Sequence, residues 1–309
     1  MKSLKKMDAA FGRAARLLVQ PSNERPVKFL LYFLVVSFAV WIPYSLVRHV
    51  YTSGWYLVSV EREAKVGDEA AARLEQDLKL RPSDDPASRF VAQIGKRITR
   101  MNNPWNAEFA FSIIEDRNMI NAFAIPGGRI YITTGLLDRL DNEAELAAVL
   151  GHEVSHVTRR HYARNIGRRM LMSWVKKFLG STDQAIMHTG AFLTTNVTLI
   201  SMRQEDELEA DYQGGLYMYE LEYDPAGEVT LIRKLLSFEK QTPDLFRLMA
   251  LTHPPSRERL EAAVNLQNSL PVKKGLVLGR ERYQQNIKDI LSIPDVPPPP
   301  PPPPTPPLP

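Results

Sequence analysis

The residues from Phe29 to Val47 form a run of 19 positions without Asp, Glu, Lys or Arg. As a helix that rises 1.5 Å per residue, this run would be about 28 Å long, close to the roughly 30 Å hydrocarbon core of a bilayer. A cleaved signal peptide is the alternative, but the 28 residues ahead of the run exceed the usual basic region of such a peptide. The run therefore predicts one transmembrane anchor at 29–47.

Positive charge is concentrated ahead of this run. Residues 1–28 contain seven Lys and Arg against two Asp and Glu, whereas the whole chain has a net charge of +4. Because basic residues flank the cytoplasmic end of a membrane helix, we expect a basic cytoplasmic segment at 1–28, a linker at 48–60 and a periplasmic body on an inner membrane. A mitochondrial inner membrane is the alternative, since presequences are also basic. The near-neutral body argues against a nucleic-acid partner.

The rest of the chain has a globular composition, with 44% apolar and 24% charged residues overall. One domain is expected over 61–292. Two β-rich runs, FAFSIIED and INAFAIPGGRIYITTG, predict a small sheet, and Pro126-Gly127-Gly128 predicts a hairpin turn in the second. The predicted helices are 61–80, 86–101, 142–169 (opened by an Asn142–Glu145 capping box), 203–220, 228–239 and 256–268. The expected fold class is therefore α+β and mainly helical.

A proline-rich tail follows at 293–309. It holds 12 of the 24 prolines, eight of them consecutive. Such a sequence cannot join a packed core and is typical of a polyproline II rod, which can bind a partner.

The motif HEVSH at 152–156 places two histidines four residues apart on a predicted helix. Residues at i and i+4 share a helix face, so both imidazoles can bind one zinc ion while Glu153 reaches the water that the metal binds. The chain has no cysteine, which excludes sulfur ligands. His161 lies five residues after His156, about 140° further round a continuous helix at about 100° per residue, so it is not expected on the zinc face.

A later helix supplies candidates for a third ligand. Catalytic zinc takes three protein ligands and keeps one position open, so one carboxylate is still needed. Several acids compete in QEDELEAD at 204–211. Glu207 and Asp211 are spaced so that one acid can bind zinc while the other accepts the N–H of a zinc-bound histidine. A solvated acidic face is the alternative.

Four motifs occur in order along the chain: INAFAIPGGRIYITTGLL, HEVSH, ELEAD and THPPSRERL. With them the chain resembles the HtpX/BepA/LoiP family of gluzincin metallopeptidases, which also contains the prenyl-protein endopeptidases and a mitochondrial inner-membrane stress peptidase. The resemblance covers roughly residues 61–292 and implies one Zn²⁺ per chain. It implies zinc ligation by His152, His156 and Glu207, general base and acid catalysis by Glu153, and a hydrogen bond from a zinc-bound histidine to Asp211.

The resemblance also implies a substrate-binding strand. Asn121, Ala122, Phe123 and Ala124 correspond to the edge strand on which a gluzincin substrate adds as an extended strand. Ordinary sheet core is the alternative for these four residues.

The last motif contains His253, with Arg259 as its accompanying basic residue. The resemblance implies that His253 lies near the metal, where it can stabilise an oxyanion or occupy the fourth zinc position as a latch. A turn residue before two prolines is the alternative.

These observations predict a membrane-anchored zinc endopeptidase that cleaves misfolded or misassembled envelope proteins by attack of a zinc-activated water. The expected partners are polypeptide substrates, membrane lipid and a partner for the tail. A chaperone-like or scaffold protein on the same fold is one alternative, although the intact Glu153 favours an enzyme. A prenyl-protein endopeptidase is another, which a single span disfavours because one helix cannot enclose an intramembrane chamber.

Overall fold

The computed structural model describes residues 30–38, 41–42, 44–45, 58–168 and 202–292, and it divides the chain into two units, Met1–Trp55 and Tyr56–Pro309. In the first unit, the described residues are helical. None of the helices within the described ranges meets the length and hydropathy that a membrane span requires. The anchor at 29–47 therefore stays a prediction. The segment 1–28, most of the linker and the tail lie outside the described residues.

The second unit begins with two capped helices, α1 (Val60–Asp77) and α2 (Pro86–Met101). The side chains of Ser59 and Asp85 accept hydrogen bonds from first-turn amides, which fixes where each helix begins. Helix α2 has the predicted bounds, and α1 ends slightly before its predicted end. Both helices bury apolar side chains in the main core.

Three short strands form one sheet: β1 (Ala110–Ile114), β2 (Ala122–Ile125) and β3 (Arg129–Thr133). Their order is β1-β3-β2, with β1 parallel and β2 antiparallel to β3. Gly127 and Gly128 have φ of +92° and +114°, which glycine adopts at little cost. The predicted hairpin turn is thereby confirmed, and β2 lies at an edge of the sheet.

A short helix, α3 (Thr134–Leu137), leads into the central helix α4 (Glu143–Thr158). Every residue of α4 is buried. Asn142 caps it through the amide of Glu145, as predicted, at 2.9 Å. Helix α4 packs against α2 and β2, which makes it the centre of the domain.

The prediction of one helix over 142–169 is wrong beyond Thr158. A second helix, α5, covers the described residues 161–168, and Arg160 between the two has a φ of +52°. A left-handed conformation costs a non-glycine residue about 1–2 kcal/mol. A buried ion pair of 2.7 Å between Arg160 and Glu63 helps to hold this bend.

Most of the remaining helices match the predicted ones: α6 (Gln204–Glu220), α7 (Ala226–Gln241) and α9 (Arg257–Ser269). The sequence did not predict the others: α8 (Pro243–Thr252), α10 (Arg280–Tyr283), a π-helical turn (Gln284–Lys288) and α11 (Asp289–Ser292). Helices α6 and α7 also pack against α4. The described part of the domain is therefore mainly helical with a small sheet, which confirms the α+β class.

Candidate metal centre

Helices α4 and α6 cross closely at two glycines. A Cβ atom on Gly151 would lie 3.1 Å from the Cα atom of Gly214, and a Cβ atom on Gly214 would lie 3.0 Å from the amide nitrogen of His152. A side chain at either position would need the neighbouring backbone to shift. The crossing therefore places the HEVSH face of α4 directly against α6.

Four buried side chains meet at this crossing: His152 and His156 from α4, Glu207 from α6, and His253 from the end of α8. One potential ligand atom of each lies within 4.8 Å of the others. The Nε2 atoms of His152 and His156 are 2.9 Å apart, and each lies 3.4 Å from a carboxylate oxygen of Glu207. Two imidazole nitrogens and one carboxylate thus face the same point.

Asp211 and Arg259 contact this cluster from α6 and α9. Nδ1 of His152 lies 2.8 Å from Oδ1 of Asp211, and because an ionised carboxylate can only accept, Nδ1 is the donor. Arg259 donates to both oxygens of Asp211 at 2.7 and 2.8 Å, and its Nη1 lies 2.7 Å from Oε2 of Glu207. The guanidinium therefore offsets the two buried negative charges.

The charges around His152 and Glu207 favour a cation. Burial lowers the pKa of His152, but Glu207 and Asp211 outweigh it and raise that pKa to about 10. Burial raises the pKa of Glu207, yet the charges of His253, Arg259 and His152 hold it well below its usual range. Burial instead lowers the pKa of His156 well below its usual range, so that ring is neutral. A divalent cation can replace the proton that the carboxylates attract to His152. Two histidines and one glutamate are a known ligand set of catalytic zinc, so the residues fit this metal.

Glu153 and His253 lie beside the proposed ligands. Oε2 of Glu153 is buried and has no hydrogen-bond partner among the described residues. Nδ1 of His253 lies 3.0 Å from Oε1 of Glu207, and its Nε2 lies 3.7 Å from Oε1 of Glu153. His253 is only 2% exposed, so it belongs to this cluster and is not a solvated turn residue.

His161 is not among the four potential ligands, as expected, but it contacts one of them, and the expected continuous helix between His156 and His161 is wrong. Because α4 ends at Thr158, the chain turns and brings Nδ1 of His161 to 2.7 Å from Nδ1 of His156. Its Nε2 lies 3.3 Å from Oε2 of Glu209. Burial lowers the pKa of His161. The pKa of Glu209 is lowered to about 2, and its hydrogen bond with His161 is the main cause. No sequence pattern predicted the break.

The other acids at the start of α6 have separate surroundings. The Glu205 side chain is 70% exposed. Asp206 is buried, with its Oδ1 2.9 Å from Nη2 of Arg164 and its Oδ2 3.3 Å from Nη1 of Arg168. Both arginines are on α5. The solvated-face alternative therefore describes Glu205 but not Asp206.

The predicted substrate strand, Asn121 to Ala124, coincides with β2 except for its first residue. The amide of Thr133 donates to the carbonyl of Asn121, so by the alternation of an antiparallel pair the backbone groups of Ala122 and Ala124 point away from β3. The Tyr162 hydroxyl donates to the Ala124 carbonyl at 2.5 Å. Ala122 and Ala124 are fully buried, so this edge is covered.

A mainly apolar pocket adjoins the cluster. His152, Glu153 and His253 contribute to its wall together with apolar side chains from α4, α7 and α8. The apolar lining residues are Ala148, Val149, Leu231, Ile232, Leu235 and Met249.

Comparisons with known proteins point to one family of peptidases. The pattern of peptidase family M48 matches residues 87–267. The beta-barrel assembly-enhancing protease of Escherichia coli (strain K12) is 32% identical over 233 residues, which cover 71% of this chain and 46% of that protein. Mitochondrial metalloendopeptidase OMA1 of Schizosaccharomyces pombe is 28% identical over 205 residues, covering 66% of this chain and 60% of that protein. The chain spans about half the length of the curated relatives it matches. The resemblance drawn from the motifs is confirmed: this chain belongs to peptidase family M48.

Proposed function

We propose that this protein is a zinc-dependent endopeptidase that cleaves misfolded or misassembled envelope proteins. The observation that carries the proposal is the buried convergence of His152, His156 and Glu207, with Glu153 beside them. These three residues would hold one zinc ion. When bound, zinc supplies Lewis-acid activation of water and of the scissile carbonyl. As the oxygen of the attacking water bonds the scissile carbonyl carbon, the Glu153 carboxylate would take a proton from that water and deliver it to the amine nitrogen when the C–N bond breaks.

Cleavage of an unfolded protein tests this proposal directly. The full chain, purified in detergent, should cleave casein, lose that activity in a metal chelator, and regain it when zinc is returned. A zinc-loaded protein that binds casein without cleaving it would favour the chaperone-like or scaffold function. Cleavage restricted to prenylated substrates would favour a prenyl-protein endopeptidase.

Substrate binding is proposed along the outer edge of β2, the edge that does not pair with β3. The amide and carbonyl of Ala122 point outward and can pair with an extended peptide, and α4 packs against the same strand. Because Ala122 is fully buried, the edge must be uncovered before a peptide can bind there. The pocket beside the cluster, with a volume of about 20 Å³, would have to widen to receive an apolar side chain next to the scissile bond. Val149, Leu231 and Met249 line it.

His253 is proposed to act as a latch on the fourth zinc position. Its contact with Glu207 places it among the candidate ligands, and a catalytic zinc needs one open position. We expect His253→Ala to retain zinc and to raise the basal rate of casein cleavage severalfold. The alternative role, stabilisation of an oxyanion, requires the opposite result, a fall in turnover with zinc retained. Initial rates and metal content of the two proteins distinguish these outcomes.

Membrane attachment through 29–47 completes the proposal, with membrane lipid as one partner and a further partner for the tail. The basic segment 1–28 supports a cytoplasmic N-terminus and a catalytic domain on the periplasmic side. The relatives from a bacterial and a mitochondrial source leave a mitochondrial inner membrane as the alternative compartment.

This orientation can be measured with reporter fusions. A reporter that works only outside the cytoplasm should be active when fused after Ser292 and inactive when fused before Lys28, because the basic flank stays in the cytoplasm. The reverse pattern would contradict the orientation, and activity at both positions would contradict the anchor.

A further inference from the structure

We propose that His161 is a positioning residue for the metal ligand His156: it accepts a hydrogen bond on Nδ1 and thereby directs Nε2 of His156 towards the metal. This inference rests on the proposed zinc site. The two Nδ1 atoms are 2.7 Å apart, and both side chains are fully buried. The imidazole rings meet edge to face, with an interplanar angle of 75°.

The backbone turn between α4 and α5 places the His161 side chain beside His156. On a continuous helix His161 would lie about 140° away from His156. The left-handed Arg160 breaks the helix and turns the chain back. Contacts from distant parts of the chain hold that turn: Arg160 donates to Glu63 and to the carbonyl of Val58, both at 2.7 Å. Trp105 donates to the carbonyl of Thr158 at 2.8 Å.

The hydrogen-bond pattern then fixes the tautomers of both rings. To bind a metal through Nε2, a neutral His156 must carry its proton on Nδ1 and donate it. His161 therefore accepts on Nδ1 and carries its own proton on Nε2, which faces Oε2 of Glu209 at 3.3 Å. Arg164 donates to the same oxygen at 2.7 Å and holds it in place.

The Nδ1 atoms of the two histidines in the HEVSH motif thus have different hydrogen-bond partners. Asp211 contacts His152 directly, as a carboxylate usually does in zinc sites. Nδ1 of His156 instead contacts the neutral imidazole of His161, and the carboxylate of Glu209 contacts the other nitrogen of that imidazole. His161 is therefore the part of this arrangement that touches a proposed ligand, and the orientation of His156 depends on it.

Zinc affinity of the full chain, measured by competition with a chelating indicator, tests the inference. His161→Leu removes the acceptor at similar size, and we expect zinc affinity to fall about 10–100-fold, the usual effect of losing a partner of a metal-binding histidine. His161→Asn places a carbonyl oxygen near the former Nδ1 position and should restore most of the affinity. The absorption spectrum of the Co²⁺-loaded protein should shift in the Leu variant and return in the Asn variant. Thermal unfolding of the metal-free forms controls for lost stability.

Glu209 is partly exposed and offers a second variant in case substitution of the buried His161 prevents folding. Glu209→Gln keeps an acceptor for Nε2 of His161 but removes the charge, and it should weaken zinc binding by less than His161→Leu does. Unchanged zinc affinity in His161→Leu, or equal losses in the Leu and Asn variants, would overturn the positioning role while leaving the peptidase intact. Absence of stoichiometric zinc in the wild type would instead overturn the proposed function, and this inference with it.

Discussion

Glu207→Ala should lose zinc and casein cleavage together, whereas Glu205→Ala should keep both. Glu207 is fully buried, with its carboxylate oxygens 3.4 Å from Nε2 of His152 and of His156. Loss of a residue that only contacts a metal ligand typically costs 10–100-fold in affinity or activity, so loss of the ligand itself should cost more than about 100-fold. Glu205, two residues earlier on the same helix, has a 70% exposed side chain.

The measurement is metal content after dialysis against a weak chelator, with casein cleavage of the same samples. Glu205→Ala is a matched control because it removes a side chain of the same type from the same turn of the helix. The zinc content and activity of Asp211→Ala should lie between those of the other two variants, since Asp211 contacts His152 but is not among the four potential ligands. A Glu205 variant without zinc beside a zinc-containing Glu207 variant would contradict the proposed ligand set.

Glu153→Gln should reduce turnover by at least about a hundredfold while zinc stays near one per chain, because positioned acid–base catalysis contributes about 10²–10⁴-fold. The substitution preserves size and leaves His152, His156 and Glu207 in place. Oε2 of Glu153 has no hydrogen-bond partner among the described residues, so the amide should not break an existing contact of this oxygen.

Turnover of casein at saturating substrate, beside the zinc content, measures this effect. Thermal unfolding of the zinc-loaded variant serves as the control and should match the wild type. Full activity in a zinc-loaded Glu153→Gln protein would remove Glu153 from the mechanism and favour another base.

The sequence predicted those parts of the structure that depend on neighbouring residues. The Asn142 cap, the turn at Gly127 and Gly128, and the bounds of α2 follow from side-chain hydrogen bonds or from φ preferences within a few residues. The expected α+β class follows from the same local patterns.

The helices that the sequence did not predict are shorter than α6 and α7, which also begin without a side-chain cap, and the prediction did not use Pro243 as a start signal for α8. Helix α8 (Pro243–Thr252) begins without a side-chain cap, and α10 (Arg280–Tyr283) begins at a left-handed Gly279, also without one. Phe246 and Tyr283 from these helices are fully buried, so packing against the core stabilises them more than their own sequence does.

By itself the sequence determined that His152 and His156 share one face of a helix with Glu153 one residue along, because four residues of α-helix return nearly to the same direction. It also limited the third ligand to a few acids on one later helix. The motifs also implied that Asp211 accepts a hydrogen bond from a zinc-bound histidine and that His253 lies near the metal. Only the tertiary structure decided the individual contacts: Asp211 with His152, Arg259 with Asp211, His253 with Glu207, and His161 with His156. The reason is that helix crossings bring most of these residues together from distant parts of the chain. The contact of His161 with His156, five residues apart, exists because Glu63 and Val58, about a hundred residues earlier, hold the left-handed turn at Arg160.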